Sequence, residues 1–508
     1  MFLKIKFLFV ILCLSGLVSA QEQAVIKLRV DQANSPVINR HIYGQFAEHL
    51  GRSVYDGFYR NGKTRNDIVE ALKKIKVPNL RWPGGCFADQ YHWRDGIGVK
   101  ASRPGRINTT WGMVAEDNSF GTHEFLELCR LLGTEPYIAG NVGTGTPQEM
   151  SDWLEYLNFS GKSALSDLRR SNGQASPFGV SFWGVGNESW GCGGNMMPEH
   201  YANLYRQYAS FCQQYPSAPK LKLVAGGANA EDYNWTEVLM KNIPANMMWG
   251  LSLHYYTFVK GGPWPPSGSA TQFGEDEYFS AIKNALKIDE VIAKHSALMD
   301  RYDPQKKVAL VVDEWGIWTE VEPGTNKSFM YQQNSLRDAL IAASTLNIFN
   351  NRTDRIKMAN LAQTVNVIHS LILTKGDEMV LTPTYHVFDL MKVHQDARLL
   401  PLSVSSPVYS FGGKSIPAVN VSASVDSAGV TNLTLVNLDA NKSVSVNVPL
   451  KAKTVSGQVL TADKVNSFND FGNAVLVGLR NFSDFEISDG SVAVNLPAKS
   501  VVQLAVNK

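Results

Sequence analysis

The chain has 508 residues, 44% hydrophobic and 19% charged, with 11 Trp, 18 Tyr and 23 Phe. That length exceeds one ordinary core and predicts two domains, one of them large, while the aromatic content excludes a disordered chain. The formal charge of +2 comes without a basic run, so a nucleic-acid partner is not expected.

In chain order, Lys4 and Lys6 precede an apolar run from Phe7 to Val18 that ends in Ser19 and Ala20. This pattern predicts a signal peptide cleaved near Ala20, and hence a secreted or periplasmic protein with no membrane attachment after cleavage. Cleavage would remove two lysines and no acid, bringing the net charge to zero. The expected domains are 1–20 signal peptide, 21–38 an N-terminal strand, 39–388 a barrel and 389–508 a β-sandwich. Short apolar runs are predicted as strands at Ile42–Ala47, Asn79–Trp82, Pro136–Gly140, Ser181–Gly186, Lys222–Ala225, Leu251–Tyr255, Val308–Val312 and Asn360–Val367. Between them lie amphipathic stretches such as Thr64–Ile75, His123–Leu132, Pro198–Tyr215 and Asn334–Asn347. Eight strands alternating with helices predict a (β/α)8 TIM barrel in the α/β class. After about Leu390 the alternation becomes period two, as in Val430–Leu438 and Ser443–Val448, which predicts an all-β, jelly-roll-like sandwich. Ala24–Asp31 has the same alternation and is expected to pair with that sandwich.

Barrel enzymes carry their chemistry on the loops that follow the strands. Two apolar strands here end in a carboxylate, Val180-Ser-Phe-Trp-Gly-Val-Gly-Asn187-Glu188 and Val308-Ala-Leu-Val-Val-Asp313-Glu314. One glutamate after a strand is equally well a helix-start residue favoured by the helix dipole. Two such glutamates, after the fourth and seventh strands and each flanked by Trp, fit a pair that cleaves a glycosidic bond. Arg81 after the second strand is the candidate to keep a nucleophilic carboxylate ionised, with His254 and Tyr256 as donors to it or to a sugar. Trp111, Trp315 and Trp318 are candidate stacking surfaces. Neither an HExxH motif nor a calcium loop occurs, so no metal and no cofactor is expected. Cys86, Cys129, Cys192 and Cys212 are too few for a disulfide scaffold and carry no CxxC pair. One or two disulfides are compatible with them, and their pairing is open.

Five blocks, Gly44-Gln-Phe-Ala-Glu-His-Leu-Gly51, Leu80-Arg-Trp-Pro-Gly-Gly-Cys86, Gly186-Asn-Glu-Ser-Trp-Gly-Cys192, Ser252-Leu-His-Tyr-Tyr256 and Val312-Asp-Glu-Trp-Gly316, resemble glycoside hydrolase family 51, the α-L-arabinofuranosidases. The resemblance runs from about Ile42 to beyond Leu400. It implies a retaining, exo-acting enzyme with Glu188 as acid/base and Glu314 as nucleophile. Asn187, Glu48, Cys86, His254, Tyr256 and Gln363 would contact the sugar, and Trp111 and Trp318 would wall its site. Arabinan, arabinoxylan and derived oligosaccharides are the implied substrates, and a homo-oligomer the implied assembly. The catalytic pair alone is also compatible with an endo-β-glucanase or β-xylosidase of the same clan, and a barrel without turnover with a carbohydrate-binding protein.

Overall fold

A computed structural model describes residues 23–28, 35–260 and 266–508. The expected signal peptide lies outside the described residues. Eight parallel strands close a barrel: Gly44–Phe46, Asn79–Trp82, Glu135–Gly140, Phe182–Val185, Lys222–Asn229, Gly250–Phe258, Ala309–Trp318 and Ile356–Leu361. Each is hydrogen-bonded to its sequence neighbour in the barrel, and the last closes onto the first through Leu361 opposite Gln45. Strands covered on both faces have no solvent side, which is why Ala309-Leu-Val-Val and Phe182-Trp-Gly-Val read as continuous apolar runs. Tyr137, Phe182, Val224, Ala309, Val311 and Met358 form one buried cluster of residues from these strands. The barrel is thus a packed core with its chemistry confined to the rim.

The eighth strand departs from the expected Asn360–Val367. It spans Ile356–Leu361, and the chain leaves the sheet at Ala362. Val365 and Val367, whose alternation mimics a strand, are buried instead in the layer of loops over the barrel mouth. There Thr364 Oγ1 donates to the Phe46 carbonyl at 2.8 Å and Asn366 Nδ2 to Thr374 Oγ1 at 2.7 Å. A loop tied down by buried hydrogen bonds carries the same apolar pattern as a strand, so periodicity misplaces the boundary.

The C-terminal region is an all-β sandwich of two sheets. One runs in the order Leu402–Ser405, Gln23–Leu28, Val444–Val448, Ser491–Leu496, Phe485–Ser488. The other runs Arg398–Leu399, Val419–Val425, Thr431–Asn437, Ser500–Asn507, Thr454–Leu460, Leu479–Phe482. Gln23–Leu28 lies antiparallel to Leu402–Ser405 and parallel to Val444–Val448. No helix among the described residues is long and apolar enough to cross a membrane.

The helix Leu336–Asn351 joins the two units, touching the seventh barrel strand on one side and the strands Val419–Val425 and Thr431–Asn437 on the other. It is buried all round except at its last residue, which explains a sequence with no polar face. Two of its asparagines are paired to neighbouring elements: Ser422 Oγ donates to Asn347 Oδ1 at 2.6 Å, and Asn350 Nδ2 to Tyr43 Oη at 2.9 Å. Phe349, fully buried, meets Trp315 edge-on at 5.3 Å between ring centres. Phe349→Ala should therefore destabilise the protein by about 3–5 kcal/mol, the range for a cavity left by a large aromatic. Urea unfolding followed by tryptophan fluorescence measures this, and a loss below about 1 kcal/mol would contradict the packing described.

Candidate functional site

Six of the eight strand ends contribute to one cluster at the barrel mouth. After Val185 the chain passes through Gly186 at φ 82° and then Glu188 at φ 41°. A non-glycine residue in that left-handed region is costly and persists only where surrounding bonds impose it. Here the buried Asp89 carboxylate accepts from the backbone N–H groups of Asn187, Val142 and Gly143 at 3.1, 2.7 and 2.9 Å, which fixes the turn. Burial pushes Asp89 up to about 7 against those three donors.

The seventh strand presents two consecutive acids to the same side. In a regular strand Asp313 and Glu314 would face opposite ways. The register against the sixth strand slips between Ser252 and His254, with Val311 opposite Ser252 and Glu314 opposite His254. That one extra residue is a bulge, which re-aims side chains next to a site. Arg81, only 1% exposed, then meets both acids: Nη1 donates to Glu314 Oε1 at 2.8 Å and Nε lies 3.7 Å from Asp313 Oδ2. Its Nη2 donates to Asn187 Oδ1 at 2.6 Å, tying the fourth strand to the seventh.

His254 sits between three carboxylates. Its Nδ1 is 2.9 Å from Glu188 Oε1 and 3.6 Å from Glu314 Oε2, and its Nε2 is 3.3 Å from Asp313 Oδ1. Burial opposes its charge, but Glu314, Asp313 and Glu188 outweigh that and push the imidazole up to about 10. Asp313 also accepts from Tyr137 Oη at 2.8 Å and from Ser252 Oγ. Burial notwithstanding, Arg81 and His254 hold its carboxyl well below the usual range. Glu188 moves the other way, raised by burial and by the nearby Glu314 charge although His254 pulls it down. Carboxylate oxygens of Glu188 and Glu314 lie within 4.8 Å of one another. Such a gap suits direct attack on a sugar carbon and leaves no room for the intervening water of an inverting pair.

Glu48 is a further buried acid near Glu314. Glu48, 2% exposed, accepts from Phe87 N at 2.9 Å, Trp111 Nε1 at 2.8 Å and Gln363 Nε2 at 3.0 Å. Burial and the Glu314 charge push it up to about 7. Gly85 is required there, because a Cβ at that position would fall 2.6 Å from Glu48 Oε2. Tyr256 Oη donates to Glu314 Oε2 at 2.8 Å, and its ring meets Trp318 edge-on at 5.2 Å. Trp111 and Trp318, with Pro266 and Met330, line a cavity of ≈ 470 Å³ beside this cluster.

All the residues singled out from sequence for catalysis or sugar contact gather here, with one correction. Trp315, expected as a stacking surface, is 1% exposed and packs behind the strand against Phe349 and Phe388. It follows Glu314 in a strand whose alternate residues face the helix layer, which removes it from the mouth. The pairing left open in sequence is a disulfide between Cys86 and Cys192, while Cys129 and Cys212 are free and buried. Asp313, Asp89, Tyr137 and Ser252 were not singled out as site residues. Asp313 carried a signal, since an acid inside an apolar strand must find a partner; the others gain their role only from the fold.

Two family models match the chain, the α-L-arabinofuranosidase 1 domain over residues 71–260 and the α-L-arabinofuranosidase C-terminal domain over residues 313–500. An intracellular exo-α-L-arabinofuranosidase of Bacteroides ovatus is 48% identical over 499 residues, covering 96% of each chain. The crystal structure of the GH51 arabinofuranosidase from Xanthomonas axonopodis pv. citri superposes with a TM-score of 0.93 at 48% identity, covering 96% of this chain and 100% of that one. The α-L-arabinofuranosidase from Thermotoga maritima, solved as an arabinose complex, superposes with a TM-score of 0.83 at 30% identity, covering 95% and 99%. The intracellular relative overturns the expectation of a secreted or periplasmic protein with a cleaved signal peptide, because a leader-like N-terminus is not matched by the location named for a protein alike over 96% of its length. With this identity and coverage, the chain belongs to the α-L-arabinofuranosidases of glycoside hydrolase family 51 and is a glycoside hydrolase.

Proposed function

We propose that this enzyme releases terminal non-reducing α-L-arabinofuranose from arabinan, arabinoxylan or derived oligosaccharides by double displacement, with Glu314 as nucleophile and Glu188 as acid/base. The observation that carries this is the pair of carboxylates within 4.8 Å, one gripped by Arg81 and the other pushed toward its acid form. Glu314 attacks the anomeric carbon while Glu188 protonates the departing oxygen. Glu188 then takes a proton from water, which attacks the same carbon and restores Glu314 with retained configuration. With Oε1 engaged by His254, Oε2 is the oxygen of Glu188 left to carry the transferable proton.

The exo-acting relative supports exo action here, with Glu48 buried against Phe87, Trp111 and Gln363 as the residue that receives the terminal sugar. Glu48 and the unpaired buried acceptor Gln363 Oε1 suit the hydroxyls of one terminal sugar. Asn187, anchored by Arg81, faces the hydroxyl next to the anomeric carbon, where a contact strengthens in the transition state. The cavity along Trp111 and Trp318 offers apolar walls to the rest of the substrate. Family membership favours the arabinofuranoside over the β-glucan and β-xyloside alternatives, and an intact catalytic pair disfavours a binding protein.

Hydrolysis of 4-nitrophenyl α-L-arabinofuranoside, β-D-xylopyranoside and β-D-glucopyranoside tests the reaction. Release from the arabinofuranoside alone is expected, and preferential release from a β-glycoside would overturn the substrate. Glu314→Ala should lose roughly 10⁴-fold or more on every substrate. Glu188→Ala should lose about 10²- to 10⁴-fold on natural oligosaccharides but far less in the first step on nitrophenyl leaving groups, which need no proton. Near-native turnover in either variant would remove the assignment.

The pH profile gives a second test. The His254 imidazolium favours the ionised form of Glu188, whereas catalysis needs the protonated form to start. Removing that cation in His254→Asn should therefore move the alkaline limb of kcat/KM to higher pH while lowering the maximal rate. A limb that stays in place or moves to lower pH would show that His254 does not govern the acid.

A further inference from the structure

The Cys86–Cys192 disulfide sits on the acid/base rather than at a distant staple. Its sulfurs lie 3.8 and 3.4 Å from Glu188 Oε2, the free oxygen of that carboxyl. Cys86 is half-buried and Cys192 exposed, so a reductant reaches the bond from solvent. Together the two sulfurs and a Glu188 oxygen fall within 4.8 Å of one another, and Glu188, His254 and Glu314 form a second such group sharing Glu188. The Cα atoms of Cys86 and Cys192 are 5.5 Å apart. Two thiolates on one tetrahedral zinc, each at about 2.3 Å, stand about 3.8 Å apart, a spread that side-chain rotation at this separation supplies.

We infer that reduction of Cys86–Cys192 turns the wall of the sugar site into a site for a thiophilic divalent cation, held by the two cysteines and Glu188, which shuts off hydrolysis. While the bond is intact the sulfurs are poor ligands and the site lacks its soft donors. A phosphine reductant supplies the two electrons: it becomes the phosphine oxide with oxygen from water, whose two protons go to the sulfurs. On binding zinc, both sulfurs and Glu188 give up their protons to solvent. The metal then takes the place of the proton on Glu188 and fills the space of the reacting sugar. The inference rests on Glu188 as acid/base only for its inhibitory half.

The two remaining cysteines serve as internal controls. Cys129 and Cys212 are buried, and burial alone pushes the Cys212 thiol up to about 12. Neither belongs to a group of ligand atoms among the described residues.

The test compares the full-length enzyme as oxidised protein and after phosphine treatment with anaerobic removal of the reductant, each titrated with zinc chloride. Equilibrium dialysis should find about one further zinc ion per chain in the reduced form. Half-inhibition, scored against each sample's own metal-free rate, should come at a zinc concentration at least about tenfold lower in the reduced form. Reduced Cys192→Ala should bind and respond like the oxidised protein, and reduced Cys212→Ala like the reduced wild type. If Cys192→Ala does not fold, capping the reduced wild type with iodoacetamide should abolish the additional zinc in dialysis. Equal zinc binding in both redox forms, sensitivity that survives in Cys192→Ala, or bound zinc without inhibition would each overturn the inference. Failure of the Glu188 assignment itself would show separately, as native turnover by Glu188→Gln.

Discussion

The Arg81 guanidinium is buried in the barrel mouth, and most of the site is arranged around compensating it. Burying a cation is expensive unless it is paired and hydrogen-bonded. Arg81 meets that demand with Glu314 and Asp313 of the seventh strand, Asn187 of the loop after the fourth, and the Asp313 carbonyl at 3.0 Å. Its plane also lies over the rings of Phe46 and Tyr137, 4.7 and 5.8 Å from their centres, so the first and third strands supply cation–π contacts. Five strands are thereby drawn to one charge, and Glu314, the proposed nucleophile, and Asn187, the proposed sugar-binding amide, are positioned by the same group.

The surrounding charges then separate the acids by function. Four carboxylates and one imidazole share this buried space, and three of the acids are displaced differently. Asp313, with four side-chain neighbours, stays ionised and supports His254. Glu188, with one hydrogen-bonding partner and Glu314 nearby, is displaced toward its neutral form. Glu48, further back, is pushed up to about 7 and held by donors that also suit a sugar hydroxyl. Pushing the protonation states of neighbouring carboxyls apart is the physical requirement of acid-assisted displacement. It comes here from burial and partner count and involves no unusual residue type.

Much of this was legible in the sequence because the barrel's own rules expose it. Strands covered on both faces write continuous apolar runs, and the polar residues that end them are the rim; Glu188, Glu314, Arg81 and His254 were found this way. What the pattern hid was whatever depends on contacts between distant segments. The bulge that turns Asp313 and Glu314 to one side leaves no mark in composition, and neither does the pairing of Cys86 with Cys192. Trp315 was misread because a strand-end aromatic faces the mouth or the helix layer according to a register known only once that bulge is seen. The eighth strand was displaced because a hydrogen-bonded loop at Thr364 and Asn366 has the same alternation as a strand. The leader-like N-terminus argued for secretion on charge and hydropathy alone, features that a relative named as intracellular shows to be insufficient.

In the proposed displacement Glu314 forms the covalent bond to arabinose. Reaction with a 2-deoxy-2-fluoro arabinofuranosyl donor bearing a good leaving group, followed by peptide mass spectrometry, tests it most directly. One fluoroarabinosyl unit per chain is expected on the peptide containing Glu314, with loss of activity in step with labelling. Labelling at Glu188 or Glu48, or turnover that inverts the anomeric centre without any labelled peptide, would contradict it.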